Sequence, residues 1–322
     1  MKLSKLTDEL RGFSGIRRKQ AVGTCLRGMQ GAWDFGHVLQ GPGDDAAVLR
    51  AEEGGYLLLA ADGILPTLVQ HDPERAGRAA VLVNVNDIYA MGGRPLALVN
   101  VMAGVDEQRI EAIAKGIREE CRRLQVPMVG GHISPEGTMP FLAASVLGRA
   151  KSLLTDRRAG PGQEILLAVD LRGERWGETL LNWDSHVSKD SQTLCEDLEV
   201  LCRLAEEGLC VAAKDVSNAG ILGSLAMLLE HAGLGAGVDL TRIRVPDPFE
   251  LIDWLRVYPS YGFLLICDQQ AKQEALRRFQ ERGIWADWIG STNDSGVFHL
   301  IWKGEEEVLF DLSRHPILDL PH

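Results

Sequence analysis

Residues 78–93 read RAAVLVNVNDIYAMGG, and they fit two different backbones. Val81, Val83 and Val85 alternate as in a strand, whereas Ala80, Asn84, Asp87 and Met91 share one face if the segment is helical. The helical reading sets Asn84 beside Asp87. Periodicity alone leaves both readings open.

The flanking pattern is clearer. From Glu107 to Leu124, the residues Ile110, Ile113, Ala114, Ile117, Cys121 and Leu124 recur at three and four positions, the apolar stripe of an amphipathic helix. YLLLA (56–60), PLALVNVM (95–102), VPMVGG (126–131) and MPFLAASVLG (139–148) read as strands bounded by Gly and Pro. A polar, Gly- and Pro-containing interval, AKSLLTDRRAGPGQ (150–163), then separates two halves, placing the domains at 1–155 and 156–322. The second half repeats the alternation: strand EILLAVD, a helix near 193–207, VAAKDVSNAG, a helix from Ile221 to His231, AGVDL, GFLLICD, the helix AKQEALRRFQERG, and the strands VFHLIW and EEVLFDL. The fold class is therefore mixed α/β (α+β), in two domains, as 322 residues suggest.

A net charge of −11 argues against a duplex nucleic-acid partner, whose affinity comes largely from Lys and Arg at phosphates. The one compact basic run is Arg17, Arg18 and Lys19, read as a solvated stretch or as a phosphate contact. The six cysteines form no CxxC pair and no zinc-ligand spacing, so buried free thiols are the simpler reading. No secretory leader is apparent, and no apolar run approaches the roughly 20 residues of a membrane span. A cytoplasmic protein with no membrane partner is expected.

Charge of the opposite kind concentrates in GPGDDAAVLRAEEGGYLLLAADG (41–63). Asp44, Asp45, Asp62 and, farther on, Asp87 have few Lys or Arg neighbours in sequence. Each alone is compatible with ordinary turn or helix-surface chemistry. Together they suit a hard divalent cation such as Mg2+, which takes oxygen ligands and shares substrate phosphates. The usual nucleotide signatures are missing. There is no GxxxxGK[ST]; Asp34-Phe35-Gly36 lacks the other kinase motifs, and GLGAG (233–237) follows a helix rather than a strand.

GPGDDAAV, AADG at a strand end, NDIYAMGGRPLALVNV, VGGH and KDVSNAGILGSL occur here in an order and spacing that resemble one superfamily. It comprises aminoimidazole ribonucleotide synthetase, thiamine-monophosphate kinase, selenophosphate synthetase and the hydrogenase-maturation carbamoyl dehydratase. The resemblance spans roughly residues 40–300 and makes residues 78–92 a helix. It implies an N-terminal domain whose sheet pairs with a second subunit in a homodimer, a C-terminal αβ domain, and ATP in the cleft between them. It further implies that Asp44, Asp62 and Asp87 hold Mg2+ on the ATP phosphates, with Asp45 and Asn84 close by, and that Gly130 and Gly131 line the nucleotide site. Asp215 matches an acidic position facing the cleft. Lys214 is either a phosphate contact or a surface lysine.

The motifs of individual members are absent. GGHIS replaces the acidic residue that thiamine-monophosphate kinases carry after the double glycine, and YPSYGFLLICD replaces their late acidic segment. His132 resembles the GGH of selenophosphate synthetases, but their reactive Cys-and-Lys loop is not matched; Cys25 sits in a different setting. His132 is thus a nucleotide or metal contact, a general base, or a structural hydrogen-bonder. The chain ends HPILDLPH, without the carbamoyl dehydratase's cysteine, and it lacks the GGET turn of aminoimidazole ribonucleotide synthetase. The reading is an ATP- and Mg2+-dependent enzyme acting on an unassigned small molecule. Its alternatives are a thiamine-monophosphate kinase-like activity and a nucleotide-binding subunit without catalysis.

Overall fold

The structure, a computed structural model, describes residues 2–176 and 181–320. Residues 78–90 are helical: they belong to α5 (Pro73–Ala90), which Pro73 opens and the Asp72 side chain caps by accepting from the Arg75 N–H at 3.1 Å. Preceding it are α1 (Leu3–Arg11), α2 (Ser14–Arg17), α3 (Gln20–Gly28), β1 (Val38–Gln40), β2 (Ala47–Arg50), β3 (Tyr56–Ile64) and α4 (Pro66–His71). After it come β4 (Arg94–Ala103), α6 (Glu107–Leu124), β5 (Met128–Ser134) and β6 (Phe141–Ala150). The six strands form one sheet in the order β1-β2-β3-β6-β4-β5.

Among the described residues, one face of this sheet is packed by the chain's own helices and the other carries exposed apolar side chains. Leu58, Ala60, Leu98, Met102, Leu142 and Val146 point into the core against α5. The alternate positions Leu59, Val99, Val101, Phe141 and Leu147 are exposed. On the covered side α5 and α6 approach backbone to backbone through Gly77 and Gly116. A Cβ on Gly116 would stand 1.8 Å from the Glu74 carbonyl oxygen. Gly116→Ala is therefore expected to lower stability by about 2 kcal/mol despite alanine's better helix propensity, because neither backbone can yield cheaply. Thermal unfolding checks this, with Gly28→Ala, which meets nothing within 4 Å, as the near-neutral comparison.

The second domain contains β7 (Glu164–Val169), β8 (Glu174–Arg175), β9 (Asn182–Asp184), α7 (Ser191–Glu206), β10 (Ala212–Asp215), α8 (Gly220–Ala232) and β11 (Gly235–Asp239). It continues through α9 (Leu251–Trp254), β12 (Tyr258–Pro259), β13 (Gly262–Cys267), α10 (Lys272–Gln280), β14 (Trp285–Asn293), β15 (Val297–Trp302) and β16 (Glu305–Asp311). Its main sheet runs β10-β13-β7-β14-β11-β15-β16, and a small one runs β12-β9-β8. One hydrophobic core passes through both domains, joining Val85 and Ile88 of α5 to Leu201 of α7 and Phe263 of β13. The helices α1 and α2 pack on the second domain, although the first domain follows them in sequence. Leu3, Leu6, Leu10 and Ile16 are buried in the second domain's own core with Leu225 and Leu309, and Arg11 donates to the Val308 and Leu309 carbonyls. No helix among the described residues is long and apolar enough to cross a membrane.

Candidate metal and nucleotide site

The GPGDD turn between β1 and β2 is bent at Gly43, whose φ of +135° suits glycine. A Cβ there would stand 2.3 Å from the His231 ring. The two aspartates that follow face different neighbours. Asp44 accepts from Gln40 Nε2 at 3.1 Å and from the Asp156 N–H at 3.3 Å. Asp45 accepts from the Lys214 ammonium and from the Asp215 N–H at 3.2 Å. Lys214 is only 8% exposed, so it is not a surface lysine. The partner missing from the local sequence arrives from β10, 169 residues along the chain.

Three elements converge on Asp45. Asp87 comes from α5 and Asp215 from the end of β10, and one carboxylate oxygen from each of Asp45, Asp87 and Asp215 lies within 4.8 Å of the others. Asp62 sits on β3 on the helix-facing side, in step with the buried Ala60 and Ile64, and lines the same cleft as Asp215. Burial first, then the charges of Asp62, Asp215 and Asp45, raises Asp87 well above the usual carboxylate range. Asp215 is pushed up to about 7 by burial and by Asp45, and Asp44 to about 7 by burial and by Asp156 and Asp45. Asp62 is raised by the protein around its carboxyl, with Lys19 opposing. Burial pulls the Lys214 ammonium down, and the carboxylates of Asp45, Asp215 and Asp44 outweigh it, so the net shift is upward.

This is a set of oxygen donors with more negative charge than Lys214 and Lys19 neutralise, and its carboxylates resist ionising together. Such a donor set fits a hard divalent cation, which would relieve the repulsion. Among the expected residues, Asp45, Asp87 and Asp215 come together, Asp62 stands beside them, and Asp44 faces Asp156 instead. Asn84 is fully buried and its amide donates to the Ala80 carbonyl at 2.9 Å. Gly130, Gly131 and His132 lie on β5, the far edge strand, where His132 pairs in register with Val101 on the open face and Nε2 lies 3.3 Å from Ser134 Oγ. Asp62 and Gly131 share a cross-strand row through Ala144 and Asn100, three strand spacings or about 14 Å apart. The chain does not bring His132 to its own aspartates.

Lys19 belongs to the basic run whose two readings were a solvated stretch and a phosphate contact. The end of the Arg17-Arg18-Lys19 run lines the cleft and opposes the Asp62 charge, although its signal was only a short basic run. Cys202, Cys210 and Cys267 are buried, Cys121 and Cys195 partly so, and Cys25 is exposed; all six are free thiols.

Residues 43–150 match the family model "AIR synthase related protein, N-terminal domain", and residues 161–303 match "AIR synthase related protein, C-terminal domain". The chain belongs to the AIR synthase-related family. An uncharacterized protein of Synechocystis sp. is 37% identical over 98% of each chain, and one of Methanocaldococcus jannaschii is 34% identical over 98% of each. Among solved structures, Thermotoga maritima PurL complexed with AMPPCP superposes with a TM-score of 0.73 at 19% identity. That match covers 97% of this chain and 51% of PurL, so this chain spans about half the length of that protein.

Proposed function

We propose that this protein binds ATP with Mg2+ at the aspartate cluster and uses it to phosphorylate or activate a small molecule held in the adjoining cleft. The observation that carries the reading is the meeting of Asp45, Asp87 and Asp215 oxygens within 4.8 Å, with Asp62 beside them. These residues would hold the metal. Bound there, it would supply neutralising charge to the triphosphate, which is most of what phosphoryl transfer asks of a protein. Lys214 and Lys19 add positive charge at the same end. The fold shared with PurL, solved with AMPPCP, supports the nucleotide. A thiamine-monophosphate kinase-like activity is one member of this reaction class.

Calorimetric titration with ATP tests the proposal. Binding in Mg2+ that disappears in EDTA supports it, and equal binding in both overturns the metal cluster as the anchor. A protein that binds Mg2+ and ATP yet transfers no phosphoryl group to any acceptor would be the non-catalytic subunit.

The same reading includes a homodimer through the open face of the first sheet. Leu59, Val99, Val101, Phe141 and Leu147 form an exposed apolar surface of the kind that marks interfaces. His132 shares this face with Val101, so pairing would place it at the subunit boundary. Light scattering is expected to give a dimer for the wild type and a monomer for Val101→Lys; a monomeric wild type would overturn the interface.

A further inference from the structure

Residues 20–37 run from α3 to the start of β1 and carry the chain from the second domain, on which α1 and α2 pack, to the first. Within this strap Gly23 and Leu26 are buried, Trp33 is half-buried, and the other residues are exposed, Met29 at 45% and Phe35 at 59% among them. The preceding helix is held more firmly. Ile16 is buried, and a Cβ on Gly15 would stand 2.1 Å from the Asn218 carbonyl oxygen. A segment with so few buried apolar contacts opens at a lower free energy than the elements it joins.

What holds α3 is the C-terminal tail. A Cβ on Gly23 would stand 2.0 Å from the Leu318 carbonyl oxygen and 2.6 Å from that of Asp319. One turn on, Arg27 donates to the Asp319 carbonyl at 2.8 Å and pairs with its carboxylate. Residues 312–320 lie in no helix or strand, so their N–H groups need other partners. The Glu230 carboxylate on α8 supplies them: it accepts from the N–H groups of Ile317, Leu318 at 3.0 Å and Asp319 at 2.8 Å. Three charge-assisted hydrogen bonds to one side chain aim the carbonyls that Gly23 and Arg27 meet. Among the described residues, Glu230 makes no hydrogen bond to α3 itself.

The strap also walls a cavity. Leu26, Trp33 and Phe35 from the strap and Leu320 from the tail line a space of about 600 Å³ together with Arg157 and His231. Glu230 and His231 are consecutive on α8, so neighbouring residues hold the tail and face the cavity. Glycines punctuate the strap beyond α3. Gly31 has φ +85°, and a Cβ on Gly28 or Gly36 would meet nothing within 4 Å, so no packed neighbour resists rotation there.

We infer that α3 and the residues following it to His37 are a door on this cavity, that the C-terminal tail is its seat, and that Glu230 sets how firmly the door is shut. Opening lifts Leu26 and Trp33 from the cavity wall while α1, α2 and both cores stay folded. The device is independent of nucleotide at the aspartates.

Hydrogen exchange of the whole chain without ligand, followed by mass spectrometry, tests this. In the wild type the amides of α3 are expected to exchange at least about tenfold faster than those of α1. Glu230→Gln, which takes acceptors from the tail, should speed α3 by about tenfold more and leave α1 unchanged. Gly23→Val drives a side chain into the tail carbonyls and should speed α3 at least as much, with the amides of residues 317–319 still protected by Glu230. The double variant should match Gly23→Val within about twofold, because both changes act through one contact. Glu230→Asp, too short to reach all three N–H groups, takes the place of Glu230→Gln if that variant fails to fold. Exchange in α3 that ignores the change at Glu230, an equal acceleration of α1, or effects that multiply in the double variant would overturn the inference.

Discussion

Asp87→Asn is expected to weaken Mg2+-dependent ATP binding by at least about 100-fold and, in the same protein, to raise the melting temperature of the metal-free state at pH 8 by roughly 2 °C. Both effects have one origin. Asp87 is buried beside Asp62, Asp215 and Asp45, and burial together with their charges favours its neutral form. Asparagine has the shape of that neutral form, so at pH 8 the substitution spares the metal-free fold the cost of either protonating or ionising a buried carboxyl. It also removes an oxygen donor from the cluster that would hold the cation. An unstable variant that loses binding would point to a structural role for the carboxylate; a variant that keeps binding would remove Asp87 from the site.

The second large effect is on stability against pH. Asp215 and Asp44 rise from an ordinary value of 3.8 to about 7, and Asp87 rises well above that ordinary value. Between about pH 4 and pH 7 the folded chain therefore holds protons that the unfolded chain has released. Stability falls wherever the native state binds more protons as pH rises, so the metal-free protein is expected to be more stable at pH 5.5 than at pH 8. Mg2+ should raise the melting temperature more at pH 8, where the carboxylates ionise at lower cost to the site's protons, than at pH 5.5. Differential scanning calorimetry at the two values, with and without Mg2+, reads both trends. A metal-free protein that gains stability across this window would mean that other groups dominate.

Much of this was visible in the sequence, and the gaps have physical causes. The amphipathic helix α6 and the strands β3, β4 and β6 declare themselves because one side of each meets a core and the other does not. Helix α5 is ambiguous by periodicity because it is enclosed by the sheet, α6 and the second domain, so no polar face remains to mark its turns. Its identity as a helix came from the motif, and the structure agrees. The aspartates were legible as a group, but not their geometry. Asp45 is held by Lys214, and no local pattern reports a contact across 169 residues. The N-terminal helices escaped notice because they are short, and their docking on β16 follows from the tertiary position of Leu3, Leu6 and Leu10. By motif His132 belongs with the site; within one chain it lies on the outer edge strand β5.

The central claim is that Asp45, Asp87 and Asp215 hold the cation that carries the triphosphate. Its most direct test is a crystal structure with AMPPCP and Mn2+ in place of Mg2+, with the metal located by anomalous scattering. Anomalous peaks within bonding distance, roughly 2.2 Å, of oxygens from these three residues and from the nucleotide phosphates are the predicted result. Phosphates seated elsewhere, for example in the cavity of about 600 Å³ lined by Trp33, Phe35, Arg157 and His231, with no metal on the aspartates, would contradict it.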